Sequence, residues 1–222
     1  MEKLVGIVLM AGLSTRFGGP KNKQLCLLND KAVFTYTIDI FANYKKFNEL
    51  IIVVNNDNKS EIEQYVKDNL YSAKFVLGGA TRKQSVENAL STLNLGENDI
   101  VIIHDGARPL VDERIINEVI DAASIYGSST AYLEAIDTIA IKNENDEVTE
   151  FIDRTSVAQI QTPQGFKYGL LMKAHEKELK DATDDCSLIL KLGNKVKLVK
   201  GDKKFHKITT IEDIKYLEGL LN

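Results

Sequence analysis

The 222-residue chain has no tryptophan, three prolines, three histidines and two cysteines. Each scarcity closes a class of function. Cys26 and Cys186 lack the short spacing of a zinc site, and with so few histidines they are read as free thiols. No apolar run approaches the ~20 residues that span a bilayer, so no membrane helix is expected. Nothing after the opening "MEK" has the charged, apolar and small-residue sections of a signal peptide, and the expected location is cytoplasmic. Formal net charge is -4, which gives no general attraction to nucleic acid or to an anionic membrane. Any bound anion must therefore be met by local groups. Internal repeats, low-complexity tracts and linkers are missing too, so residues 1–222 are read as one domain.

What is present has a regular grammar. "LVGIVLM" (4–10), "LIIVV" (50–54) and "IVIIHD" (100–105) are β-branched apolar runs of the kind buried on both faces of a parallel sheet. Between and after them, residues 32–44, 60–70, 82–93 and 113–126 repeat apolar side chains at three- and four-residue intervals, as amphipathic helices do. Further helices are expected at 167–179, at 185–192 and from about Thr210, with a strand at 195–201. Strand–helix–strand alternation predicts a single-domain, Rossmann-like α/β fold, its mostly parallel sheet flanked by helices. Residues 138–158 read differently, as a projecting β-hairpin arm around the polar turn "KNENDE" (142–147). Two strands alone rarely hold together in water, so the arm is expected to pack on a second subunit; a flap over its own site is the alternative.

Ligands of open α/β sheets gather at the carboxyl ends of the strands. The loop after the first run, "MAGLSTRFGGPKNKQL", emerges there. Gly12, Gly18 and Gly19 allow main-chain N–H groups to approach an anion, Arg16 and Lys23 add charge, and Pro20 restricts the loop. Neither G-x-x-x-x-G-K-[ST] nor G-x-G-x-x-G is matched, so neither an ATPase loop nor a dinucleotide loop is supported. "HDGARP" (104–109) brings Asp105 to the same sheet edge. A carboxylate repels polyphosphate, so a hard cation such as Mg²⁺ between them is the economical reading; a helix cap or a structural pair with Arg108 is the alternative. In "GGATRKQSV" (78–86), backbone amides and the Ser85 hydroxyl stand where they can read the edge of a base, with Arg82 on the same helical turn.

Taken in order, "MAGLSTRFGGPKNKQL", "GGATRKQSV", "HDGARP", "DR", "QTPQGF", "ATDDCS" and "HKIT" resemble the 2-C-methyl-D-erythritol 4-phosphate cytidylyltransferases over nearly the whole chain. The resemblance implies a homodimer with exchanged arms that joins CTP to a polyol phosphate and releases pyrophosphate, with Mg²⁺ as cofactor. By matching motifs, Arg16 and Lys23 bind the triphosphate as catalytic cations, and Lys207 lies near the α-phosphate. Cytosine meets Ala11, Gly12, Gly79, Ala80 and Ser85; Asp105 lies by the ribose and the metal. Thr162, Thr183 and Lys207 meet the acceptor's phosphate, with Arg154 arriving from the partner's arm. His104 and His206 are read as structural. Where the family has proline this chain has Glu134, and Phe205-His206 replaces its usual Asn-Ile. Such departures fall on the acceptor side, so a ribitol-5-phosphate cytidylyltransferase is the neighbouring reading. An inactive nucleotide-binding regulatory subunit is the alternative of a different class, opposed by the joint presence of Arg16, Lys23, Asp105 and Lys207.

Overall fold

Runs that can bury both faces become the centre of a sheet, and amphipathic runs become its cover. The computed structural model describes residues 2–14, 17–18, 22–177 and 184–221. Its first half contains β1 (Leu4–Leu9), a short hairpin of β2 (Leu27–Leu28) and β3 (Lys31–Ala32), α1 (Val33–Asn43), β4 (Glu49–Val54), α2 (Lys59–Asp68), β5 (Lys74–Leu77), α3 (Arg82–Leu90) and β6 (Ile100–Asp105). Then follow α4 (Glu113–Tyr126), β7 (Ser128–Glu134), β8 (Ile139–Lys142), β9 (Val148–Ile152), β10 (Ala158–Lys167), α5 (Tyr168–Glu176), α6 (Asp185–Lys191), β11 (Lys197–Lys200) and α7 (Ile211–Leu221). No described helix is long and apolar enough to cross a membrane, and neither Cys26 nor Cys186 is in a disulfide.

The main sheet has seven strands in the order β11-β7-β10-β6-β1-β4-β5. β1 runs parallel to both β4 and β6, and β4 parallel to β5. The chain thus moves outward from β1 to β4 and β5, then returns to the other side of β1 as β6. That reversal makes a crevice at the carboxyl ends of β1 and β6, where Leu9 pairs with Asp105. Alternate residues face opposite ways. Val8, Ile52 and Ile102 pack with Phe34, Ile38, Ile62 and Ile115 of α1, α2 and α4. Ile7, Ile51 and Ile103 pack with Val86, Leu171 and Ile189 of α3, α5 and α6 on the other face. A smaller cluster of Phe17, Leu28, Val33, Ile208 and Leu217 seats α7 beside the loop that follows β1.

The three apolar runs and the amphipathic helices lie where the sequence puts them, and α4 is capped at both ends. Asp112 accepts from Ile115 N, and Gly127 takes a left-handed conformation (φ 88°). β10 departs from the simple pattern: it enters between β6 and β7, antiparallel to both. Its polar segment Gln161-Thr162-Pro163-Gln164 is buried in mid-sheet across a register shift. Residues 139–152 form the expected hairpin, a two-stranded sheet of its own apart from the main one, with Val148 and Phe151 exposed.

Gly165 lets β10 lie close under α4. A Cβ there would sit 2.9 Å from Val119 Cγ1 and 3.0 Å from both Ala123 Cβ and Ile102 Cδ1. Gly165→Val is expected to cost about 1–3 kcal/mol through overpacking. Urea unfolding checks this, and an unchanged midpoint would show that the contact yields freely.

Candidate active site

The loop after β1 is held from below by the turn that follows β4. Asn58 Nδ2 donates to Met10 O (2.8 Å) and Asn55 Nδ2 to Ala11 O (3.2 Å). The loop then closes on itself, as Lys23 N donates to Ser14 Oγ (3.2 Å). Lys23 Nζ donates to Ile208 O (2.9 Å), so this cation ties the loop to the segment that carries Lys207. Gly78 crosses so close that a Cβ would stand 2.3 Å from Ala11 Cβ, and only glycine permits the approach. Beyond it, Gly79 N donates to Ser85 Oγ (3.1 Å) and Ala80 N to Gln84 Oε1 (2.9 Å). These two amides are thus turned onto α3, in contrast to the expectation that they face a base.

Asp105 stands at the end of β6, 8% exposed. Lys207 Nζ lies 2.7 Å from its Oδ2, Arg82 Nε 3.4 Å from its Oδ1, and Arg108 Nε 4.0 Å from Oδ2. Burial alone would raise the carboxyl's pKa, but Lys207, Arg82 and Arg108 overturn that and hold it far below the usual carboxylate range. Arg82 also gives Nη1 to Asp185 Oδ2 at 2.5 Å. Arg108 gives Nη1 to Phe205 O at 2.7 Å.

Neighbouring His104 is fully buried, and burial pushes its imidazole down to about 4, so it is neutral near pH 7. Its Nε2 faces Arg108 O (3.1 Å), an acceptor, and therefore carries the proton. Nδ1 must then accept from Thr162 Oγ1 (3.1 Å), which itself accepts from Asp105 N (3.1 Å). Thr162 is a strut of the site, its proton committed to His104. His206 gives Nε2 to Asp213 Oδ1 at 2.6 Å, away from the cleft.

These elements enclose two clefts with a common wall. One, of about 660 Å³ including its open mouth, is lined by Ala11, Gly12, Lys23, Gly79, Ala80, Ser85, Asp105 and Lys207, all expected from the sequence, and by Arg82. The second, of about 550 Å³, shares Arg82, Asp105 and Lys207 and adds Arg108, Thr162, Gln164 and Asp184. Arg154 lines neither. It lies exposed at the base of the arm, where Nη1 donates to Ile136 O (2.5 Å), in a separate hollow with Tyr132, Glu134 and Leu198. Arg16 and Thr183 lie outside the described residues. Sequence reasoning left Arg82 and Arg108 out of the site, although both stand within the motifs it singled out; nothing in the sequence marked His175 or Asp185 as partners of these groups.

Among the described residues no group of three or more His, Cys, Asp or Glu side chains could cage a metal. The donor set suits a cation brought in with phosphate ligands of its own, for which Asp105 is a carboxylate in the shared wall.

Comparisons with known proteins identify the family and the fold. The family profile described as 2-C-methyl-D-erythritol 4-phosphate cytidylyltransferase matches residues 4–222. A protein of that name from Clostridium acetobutylicum is 41% identical, covering 97% of this chain and 96% of the relative. One from Geobacillus thermodenitrificans is 38% identical over 97% and 95%. The crystal structure of 4-diphosphocytidyl-2C-methyl-D-erythritol synthase from Anaerococcus prevotii superposes with a TM-score of 0.86 at 28% identity, covering 99% of this chain and 98% of that one.

Because the ionised form of Asp105 is favoured by folding, its stabilisation is complete above the ordinary Asp range near ~3.9 and is lost as pH falls below it. Asp105→Asn should lower stability by about 3 kcal/mol at pH 7, as when one partner of a buried ion cluster is removed. The gap from wild type should narrow from about pH 4 downward, read by urea titrations at each pH. A gap as wide at pH 3 as at pH 7 would mean that charge at Asp105 does not hold the cluster.

Proposed function

The chain belongs to the 2-C-methyl-D-erythritol 4-phosphate cytidylyltransferase family, and from that membership we infer that it joins CTP to 2-C-methyl-D-erythritol 4-phosphate, releasing pyrophosphate, in non-mevalonate isoprenoid synthesis. The observation that carries this reading is the shared wall of Arg82, Asp105 and Lys207 between two clefts, one for each substrate.

In the reaction an anionic oxygen of the acceptor's phosphate attacks the α-phosphorus of CTP. A bond forms there as the α–β phosphoanhydride bond breaks, and its electron pair leaves with pyrophosphate. The nucleophile is already ionised, so no general base is needed. Catalysis is alignment, together with neutralisation of two groups that repel each other. Lys23 of the first cleft is assigned to the triphosphate, and Lys207, between the clefts, to the α-phosphate and the acceptor. Arg16 and Thr183 keep the roles that the motifs imply, triphosphate and acceptor phosphate respectively. Cytosine is assigned to the pocket of Ala11, Gly12, Gly79, Ala80 and Ser85. With the Gly79 and Ala80 amides donating to α3, carbonyl groups remain for the exocyclic amine, which favours cytosine over uracil. The family's divalent cation is assigned as Mg²⁺; Asp105 would be the carboxylate that holds it, and when bound it would supply further neutralisation of phosphate charge.

Arg154 lines neither cleft of its own subunit, and the arm exposes Ile141, Val148 and Phe151. Both facts support exchange of arms in a homodimer, with Arg154 reaching the partner's acceptor cleft. The acceptor assignment is tested by pyrophosphate release from CTP with 2-C-methyl-D-erythritol 4-phosphate and with ribitol 5-phosphate side by side. The first should be strongly preferred; equal or better use of the second would overturn it. Lys23→Ala should lower turnover about 10²- to 10³-fold, as when one electrostatic donor is removed. Mixed dimers of Arg154→Ala and Lys23→Ala subunits, each nearly inactive alone, should regain about half the wild-type activity, because one site per dimer has both groups intact. No recovery in heterodimers verified by two tags would sink the exchanged arm.

A further inference from the structure

The ionic contacts around Asp105 continue inward past Arg82. Asp185, the first residue of α6 and 1% exposed, accepts from Arg82 Nη1 through Oδ2 (2.5 Å) and from His175 Nε2 through Oδ1 (2.9 Å). His175 lies in the last turn of α5, buried. Burial opposes the charge on Asp185, yet Arg82 and His175 keep its carboxyl below the usual range. An ionised carboxylate only accepts, so Nε2 of His175 carries the proton. On the other side of the ring, Nδ1 has no hydrogen-bond partner; Glu87 Oε1 lies 3.6 Å away and is paired with Lys83 at 3.1 Å. His175 lines neither cleft.

We propose that His175 is a positioning residue for cytidylyl transfer, acting through Asp185 on Arg82 and through Asp105 on Lys207. The proposal rests on the cytidylyltransferase reading. Its physical basis is a competition for the guanidinium. A carboxylate with both oxygens open takes an arginine in a two-pronged grip. His175 occupies Oδ1, so Asp185 holds Arg82 through Nη1 alone, while Nη2 is buried without a partner and Nε faces Asp105 at 3.4 Å. Without the imidazole, Oδ1 is open to Nη2, and an end-on grip through Nη1 and Nη2 turns the guanidinium toward Asp185 and breaks the long Nε contact with Asp105. Asp105 is then left to Lys207, whose Nζ already stands 2.7 Å away, and the ammonium is withheld from the phosphates. The walls formed by Ala11, Gly12, Gly79 and Ala80 are untouched by this rearrangement, so nucleotide affinity should survive while turnover falls.

The test compares His175→Leu, which cannot donate, with His175→Gln, whose amide nitrogen occupies nearly the place of Nε2. His175→Leu should lower kcat about tenfold or more with KM for CTP within about twofold, and His175→Gln should return kcat to within about threefold of wild type. In an Asp185→Asn background, His175→Leu should cost nothing further, because one route carries both effects. Unchanged kcat in a folded His175→Leu protein, losses that add in the double variant, or a glutamine no better than leucine would each overturn the proposal. If His175→Leu does not fold, His175→Asn, whose amide stops short of Asp185, takes its place. Exchange of the Arg82 Nε–H, followed by NMR without substrates, reads the relay independently of catalysis and should quicken about tenfold in His175→Leu. Unchanged exchange would also overturn it. A wild-type protein inactive with CTP and methylerythritol phosphate would instead defeat the functional reading, leaving the exchange rate to decide the role of His175.

Discussion

The buried carboxylate of Asp105 is the constraint on which the site depends. Phosphoryl chemistry calls for several cations around one point, and cations so placed repel each other when no phosphate is present. Asp105 resolves this by standing among Lys207, Arg82 and Arg108 at the end of β6. Its charge offsets one of the three and holds all of them in place before substrates arrive, so the cations need little reorganisation to meet them. Asp185 plays the same part behind Arg82, and the carbonyl of Ile208 plays a weaker version of it for Lys23.

The sheet makes this gathering possible. Asp105 is level with Leu9 because β6 returns beside β1 after the chain has passed through β4 and β5. Three loops then converge from strands whose ends are fixed by ladder hydrogen bonds and by packing on both faces. The close passage of Gly78 over Ala11 leaves the β1 and β5 loops in contact, so the first cleft has a wall that cannot spread without breaking main-chain bonds. Antiparallel β10 completes the second cleft, and its Thr162 locks β6 through His104.

Much of this was legible in the sequence because burial on two faces leaves an unmistakable apolar run. β1, β4 and β6 are such runs, and the ends of β1 and β6 with the loops after them carried Ala11, Gly12, Lys23 and Asp105 of the first cleft. The stretch leading into β10 reads as strand-like, but its place in mid-sheet was hidden for the opposite physical reason. Its central residues are Gln161, Thr162 and Gln164, polar groups buried for the hydrogen bonds they make rather than for their hydrophobicity, so no apolar pattern marks it as a central strand. Arg82 and Asp185 were hidden because pairing across α3 and α6 is a property of the folded chain; neither spacing nor composition places residues of two distant segments 2.5 Å apart. His175 had still less to mark it, a lone histidine in an amphipathic helix.

The same tension between burial and polarity shows where the fold tolerates frustration. Among the described residues, buried side-chain atoms without a hydrogen-bond partner are Gln24 Oε1, Arg82 Nη2, Arg108 Nε, Gln161 Oε1, Gln164 Oε1 and His175 Nδ1. Every one of these residues but His175 lines one of the two clefts, and His175 is bonded to the ion chain that divides them. An unpaired buried polar atom costs about 1–3 kcal/mol, and a core selected only for stability would replace such groups with apolar ones of the same shape. The frustration lies instead in the walls of the site, while the strand residues behind it, Ile7, Ile51, Ile102 and Ile103 among them, are apolar and buried. Stability is therefore supplied by the sheet and spent at its carboxyl edge, where a rigid set of charges has to exist before the substrates arrive.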